Sequence, residues 1–280
     1  MYKTALSTCN STSETFFQGC ANAGINLVEI SASKKEDFDA LNHKEIASWS
    51  KKYSVDIWSY HLPFAPFSEI DISNKNLSKQ TVEYLTEVIE KVTDIGVNKF
   101  VLHPSGEPIA DEERTERKLT AQESLVKLAE VASRCGAVIA VENLPRTCLG
   151  KNSTEILELI SVDDRLKACF DTNHLLCESS SDFIKAVGKK IITTHVSDYD
   201  FLNERHWLPG EGDIAWQTLI KDLQSVGYDG PWLYEVTLGC PKTICRERNL
   251  TFADFTKNAR EIFENKPLTV FGKRVEGLGK

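Results

Sequence analysis

The sequence predicts a single (β/α)8 barrel, a TIM barrel, and three observations carry that reading. Short apolar runs of strand character alternate with amphipathic helical patterns along the whole chain. A glycine separates a helix from the next strand at Gly24, Gly96, Gly136, Gly188 and Gly227, where it supplies the left-handed cap that residues with a β-carbon avoid. Histidines and carboxylates recur at or just beyond the ends of the apolar runs, and barrels of this kind assemble their active sites at the C-terminal ends of their strands.

Taken in order, the first strand is predicted over 3–7, and the second over 26–30, directly after Gly24. The third, 55–60, is β-branched and aromatic and runs up to His61; the fourth, 98–103, reads NKFVLH. The fifth to eighth fall at 137–142, 166–171, 190–196 and 232–236. Between them, Val82, Leu85, Ile89, Val92 and Ile95 recur at helical spacing within 77–95, as do Leu125, Leu128 and Ala132 within 113–134. Near-continuous apolar strands such as VIAV and WLYEV suit a parallel sheet covered by helices. Eight such units in 280 residues fit a closed barrel better than an open sheet. No linker or low-complexity stretch divides the chain, so residues 1–265 are expected to form one domain. Residues 266–280 are expected to be a C-terminal extension, more in keeping with a solvated or oligomer-contacting tail than with a phosphate contact through its basic residues.

A chain of this length buries roughly 75% of its unfolded surface, and 41% hydrophobic with 26% charged residues is ordinary for a globular protein. The formal net charge of −8 argues against a broad nucleic-acid-binding surface, though not against a local basic cleft. None of the eight cysteines is spaced CxxC, and their scatter over a long chain points to a reduced, cytosolic protein. The N-terminal residues lack the basic start and apolar core of a secretion signal, and no run approaches the ~20 apolar residues of a membrane helix. A cytoplasmic protein with no membrane partner is expected.

Glu142, Asp171, His195 and Glu235 stand at the ends of the predicted fifth to eighth strands. Three oxygen ligands and one imidazole suit one divalent ion, with Mn²⁺ preferred and Mg²⁺, Co²⁺ or Zn²⁺ compatible. One acidic residue at a strand end is ordinarily a helix cap or salt-bridge partner; three acidic residues and a histidine at four successive ends point to a metal. His174, three residues past Asp171, suits a ligand or a substrate contact. His61 (HLP) and His103 (HPS) either hold turns or reach substrate. His206 belongs to the loop ERHWLPGEGDIAW, which would lie over the barrel mouth with Trp207 as an apolar wall or packed on the surface. His43, in LNHKEIASW, is expected on a helix, in solvent.

The segments VIAVENLP, CFDTNHLL, ITTHVSDYD, RHWLPGEGDIAW and WLYEV, in this order, resemble the xylose isomerase-like TIM barrels. That superfamily includes sugar phosphate isomerase/epimerases, ketose 3-epimerases, inosose dehydratases and endonuclease IV. Resemblance to the ketose 3-epimerases implies a metal held by Glu142, Asp171, His195 and Glu235. It further implies that the two glutamates act as acid and base and that His174 binds substrate. Resemblance to endonuclease IV implies a larger set for three zinc ions: His61, His103, Glu142, Asp171, His174, His195, Glu204, His206 and Glu235. There Glu204 departs from the aspartate of an Asp-x-His pair, and its extra methylene is expected to displace a ligand by about 1 Å in a cluster that tolerates ~0.2 Å.

The reading that follows is a metal-dependent isomerase or epimerase of a sugar or sugar phosphate. A carboxylate base removes a proton beside a carbonyl, and a second carboxylate returns it to the enediolate. His61, His103, His174 and His206 would then grip hydroxyls or a phosphate. A dehydratase would use the same residues, and zinc-dependent cleavage of abasic DNA is a third reading, weakened by the acidic charge and the scarcity of basic clusters. Binding without turnover would predict loss of an acid/base group, yet both glutamates are present. Many members of the superfamily are dimers or tetramers, so a homo-oligomer is expected.

Overall fold

The computed structural model describes residues 2–277. Its main sheet is a ring of eight strands in the order β7-β6-β5-β4-β3-β2-β1-β8. They are β1 Thr4–Ser7, β2 Leu27–Ser31, β3 Asp56–His61, β4 Lys99–Leu102, β5 Val138–Glu142, β6 Lys167–Asp171, β7 Ile191–His195 and β8 Trp232–Tyr234. The pairings within the sheet are parallel. Backbone bonds from Val196 to Leu233 (2.8 Å) and from Glu235 to Val196 (3.1 Å) join the two end strands and close the barrel.

The helices are α1 Glu14–Asn22, α2 Lys35–Asp39, α3 His43–Tyr53, α4 Ser78–Thr93, α5 Arg114–Arg134, α6 Ser153–Ile160, α7 Ser180–Val187, α8 Trp216–Ser225 and α9 Phe252–Phe263. Several start where a side chain accepts from an early backbone N–H: Ser13 for α1, Asn42 for α3, Asn152 for α6 and Ser179 for α7. The five glycines anticipated between helix and strand all have φ between 58° and 91°, the left-handed region that glycine enters without steric cost. The outer faces of the strands and the inner faces of the helices merge into one large apolar cluster.

Inside the barrel the period of two along each strand sorts the side chains into layers. Ala5, Leu27 and Leu233 pack together in the lower layer, and Val101, Ala140 and Cys169 form its other half. Two residues further along the same strands stand Glu29, His103, Glu142, Asp171 and Glu235, with His195 two past Thr193.

The described part of the C-terminal extension departs from a free tail. Strand β10, Gly272–Arg274, pairs antiparallel with β9, Ile244–Arg246. Arg274 is paired with Asp213 at 2.6 Å and its guanidinium lies 5.2 Å from the Trp207 ring centroid. Residues 278–280, the end of the expected extension, lie outside the described residues. Among the described residues no helix is long and apolar enough to cross a membrane.

Candidate metal and active site

The rim of the barrel is tied together before any ligand is considered. The Asn143 side chain, just past β5, donates to the Asp171 carbonyl (2.9 Å) and accepts from its N–H (2.8 Å). Thr172 donates to the Ser197 carbonyl at 2.6 Å. These bonds hold the ends of β5, β6 and β7 in fixed register, so the side chains they carry start from fixed points.

Glu142 is the hub. Its Oε2 lies 3.1 Å from His61 Nε2 and 3.3 Å from His103 Nε2, and its Oε1 lies 3.0 Å from His195 Nδ1. Three histidines anchor the other ring nitrogen on a backbone carbonyl: His61 Nδ1 on Leu62 (2.8 Å), His174 Nδ1 on Asn143 (2.9 Å) and His206 Nδ1 on Glu235 (3.2 Å). That fixes the rings and turns each Nε2 towards the cluster. Phe64 stacks on His103, centroids 4.0 Å apart, as one apolar wall.

All nine anticipated residues converge. Glu142, Asp171, His195 and Glu235 offer ligand atoms within 4.8 Å of one another, as do His61–His103–Glu142 and His174–Glu204–His206. Ligand atoms that share an ion at 2.0–2.2 Å lie at most about 4.4 Å apart, so each group closes on a cation with small adjustments. The donor chemistry also fits: Asp171 Oδ2 and Glu235 Oε2 are buried with no hydrogen-bond partner, and unpaired buried carboxylate oxygens are costly unless a cation takes them. Glu204 reaches the cluster despite its extra methylene, with Oε1 2.9 Å from His206 Nε2 and 3.7 Å from His174 Nε2.

The local field favours positive charge. Burial alone would lower the His174 imidazole, yet Asp171, Glu204 and Glu142 carry it up to about 10; His206 rises to about 9 against the same burial, through Glu204 and Glu235. Burial pushes the Asp171 carboxyl up to about 7, with Glu235 and Glu142 adding to it against His174. For Glu142 burial is outweighed by His195 and His103, which hold it well below the ordinary carboxylate range. A divalent ion would compete with these ring protons, because ligating imidazole must be neutral.

The site opens into a cavity of about 180 Å³ bounded by Phe64, Phe67, Pro145 and Arg146 as well as by the cluster itself. A larger cavity, about 740 Å³, lies at the opposite end of the barrel among Trp58, Lys99 and Tyr228. None of the ligand groups lies there, so size and chemistry point to different ends and chemistry decides. Arg146 spans the mouth of the smaller cavity, bonded to Glu107 (2.5 Å) and to Glu204 (2.9 Å).

Two expectations need correction. His43 is buried, not solvated: at the start of α3 it packs on Phe38 and its Nδ1 lies 3.3 Å from the Tyr60 hydroxyl. Trp207 is neither pocket wall nor surface residue; it is fully buried and its Nε1 donates to Thr243 at 2.8 Å. Sequence reasoning missed Arg146 and Glu29. Glu29 carried a signal, since it is an acidic residue set inside the apolar run LVEI of a predicted strand.

A sequence profile of the family described as xylose isomerase-like TIM barrel matches residues 17–249. Among curated proteins, the chain is 25% identical to the probable endonuclease 4 of Acholeplasma laidlawii (strain PG-8A), over 71% of this chain and 75% of that one. It is also 25% identical to the fructoselysine 3-epimerase of Escherichia coli O157:H7, over 39% of this chain and less than half, 42%, of that protein. Among solved structures, a D-tagatose 3-epimerase-like protein superposes with a TM-score of 0.79 at 23% identity, covering 94% of this chain and 97% of the other. A D-psicose 3-epimerase crystallised in the presence of D-fructose gives 0.74 at 15%, with the same coverage. At these identities the structural likeness establishes the fold.

Proposed function

The chain belongs to the xylose isomerase-like TIM barrel family, and from that premise we propose that it is a divalent-metal-dependent isomerase or epimerase of a small sugar or sugar phosphate. The observation that carries the reading is the group Glu142–Asp171–His195–Glu235, with two buried carboxylate oxygens that have no hydrogen-bond partner, beside a cavity of about 180 Å³. That volume suits one small polyol better than a polymer. The bound ion, held by these four residues, would polarise a carbonyl and its neighbouring hydroxyl. Glu142 and Glu235 come from strands three places apart in the ring, which suits removal of a proton beside the carbonyl by one carboxylate and its return to the enediolate by the other. His174 and His206, anchored through Nδ1, present Nε2 to substrate oxygens. Phe64 and Phe67 would exclude water from the reacting carbon.

The test is metal-dependent exchange of a ketose α-proton with deuterated water. Exchange should occur with Mn²⁺, vanish on chelation and fall to background in Glu235→Gln; full exchange in that variant would remove the assigned base. A dehydratase would use the same residues, and loss of water from the sugar would identify it. A second reading, phosphodiester hydrolysis at abasic DNA, is favoured by the two further groups, His61–His103–Glu142 and His174–Glu204–His206. Against it stand the net charge of −8 and the engagement of Arg146 by two carboxylates. Metal content separates the two: one ion per chain supports the sugar chemistry, three support the nuclease, with cleavage of an abasic duplex in zinc as the direct assay.

A further inference from the structure

We infer that Glu29 is a positioning residue for the metal ligand His195: it fixes the imidazole with Nδ1 facing the ion and strengthens it as a donor. The inference rests on the metal reading above and goes beyond its four ligands. Glu29 stands on β2, on the far side of His195 from Glu142, and is fully buried. His195 Nε2 lies 3.0 Å from Glu29 Oε1 and 3.2 Å from Oε2; the bond angles select Oε2, which also accepts from Ser59 Oγ at 2.7 Å. Oε1 has no bond of its own. The opposite ring nitrogen, Nδ1, faces Glu142 at 3.0 Å, Glu235 at 3.5 Å and Asp171 at 3.8 Å.

His195 is thereby set apart from its neighbours. His61, His174 and His206 rest Nδ1 on neutral backbone carbonyls and point Nε2 inwards. His195 is turned the other way round, and its outer nitrogen meets a carboxylate. An N–H donated to a carboxylate fixes the tautomer with Nδ1 free to ligate, and it raises the basicity of that nitrogen more than a carbonyl would. A carboxylate buried inside the barrel is costly to keep, and its only side-chain hydrogen bonds among the described residues are to Ser59 and to this ring.

The experiment is a Co²⁺ titration of the metal-free protein, read by the d–d absorption of the bound ion. Wild type should bind and show the band. Glu29→Gln, close in shape and still able to accept from Nε2–H, should bind about 10-fold more weakly, and Glu29→Ala up to about 100-fold, both with an altered band while the cooperative thermal melt of the metal-free protein persists. Ser59→Ala keeps Glu29 but frees it on one side, and should weaken Co²⁺ several-fold in the same direction; it serves if the Glu29 variants do not fold. Unchanged affinity and an unchanged band in the folded variants would overturn the role of Glu29 alone. Absence of a band in wild type would overturn the metal reading and this inference with it.

Discussion

The lower and upper layers of the barrel interior are built by the same strands, two residues apart, and they have opposite chemistry. Leu27 is followed by Glu29, Ala140 by Glu142, Cys169 by Asp171, and Leu233 by Glu235. Each step moves the side chain only about 7 Å along the strand. The lower set packs into small apolar clusters with nothing to satisfy, whereas the upper set leaves carboxylate oxygens buried without a hydrogen bond. Position along the axis, more than identity of strand, separates the groups that hold the barrel together from those that give it chemistry. Burial of the upper set costs stability, and the lower set and the helix layer must offset that cost.

Substitutions in the upper layer should therefore cost activity, and those in the lower layer should cost stability. The largest effect is expected from Glu142→Gln: kcat lower by about 10²–10⁴-fold, the range for a lost acid–base group, with the urea midpoint of the metal-free protein little changed. An equal loss of stability would mean that Glu142 holds the barrel together like the layer beneath it. Leu233→Ala, one step below Glu235 and fully buried, should cost about 2–5 kcal/mol of unfolding free energy. Co²⁺ affinity should stay within a few-fold of wild type in the folded protein, and a parallel loss of metal binding would erase the distinction between layers.

Chelation tests the upper layer as a whole. An ion present at about 100 times its Kd stabilises the folded chain by roughly 2.7 kcal/mol, so its removal should lower the melting temperature by roughly 5 °C. The loss should grow with ion concentration in the reference sample; a melt indifferent to chelator would leave the buried carboxylates without their cation.

The smallest effect sharpens the contrast from outside the barrel, at the one histidine that does not join the cluster. Burial, with Lys91 adding to it, lowers His43 to about 4. The unfolded chain thus takes up this proton before the folded one does. The contribution is present above pH ~6.5 and is lost as pH falls towards 4. Wild type should lose more stability than His43→Gln between pH 7 and pH 5 in urea melts, and equal slopes would remove the effect.

Much of the barrel was legible because its signals are local. Alternating runs and glycine stops give eight strands, and their ends fall within a residue or two of the anticipated ones. Strand β8 ends at Tyr234 where the run continues to Val236, because strand length depends on pairing with neighbouring strands, which an apolar run does not display. Strands β9 and β10 have three residues each, too few to display a period, and only their mutual pairing makes them strands. Helix α9 did carry a signal, the Thr251-x-x-Asp254 spacing of a capping box. His43 and Trp207 were misplaced because a helix position or a loop motif says nothing of which neighbour covers it.

By itself the sequence determined the kind of fold and the inventory of its chemistry. Both depend on spacing along one chain, the alternation of short apolar runs with helical periods and the placement of His and carboxylate at strand ends. Only the tertiary structure decided the geometry. It gathered the nine residues into one cluster, two of its groups sharing Glu142 and the third formed by His174, Glu204 and His206, turned His195 opposite to its neighbours, and set Glu29 behind it. Those relations join residues as far apart as 29 and 195, and they exist only once a closed ring of strands holds every side chain at a fixed height and angle.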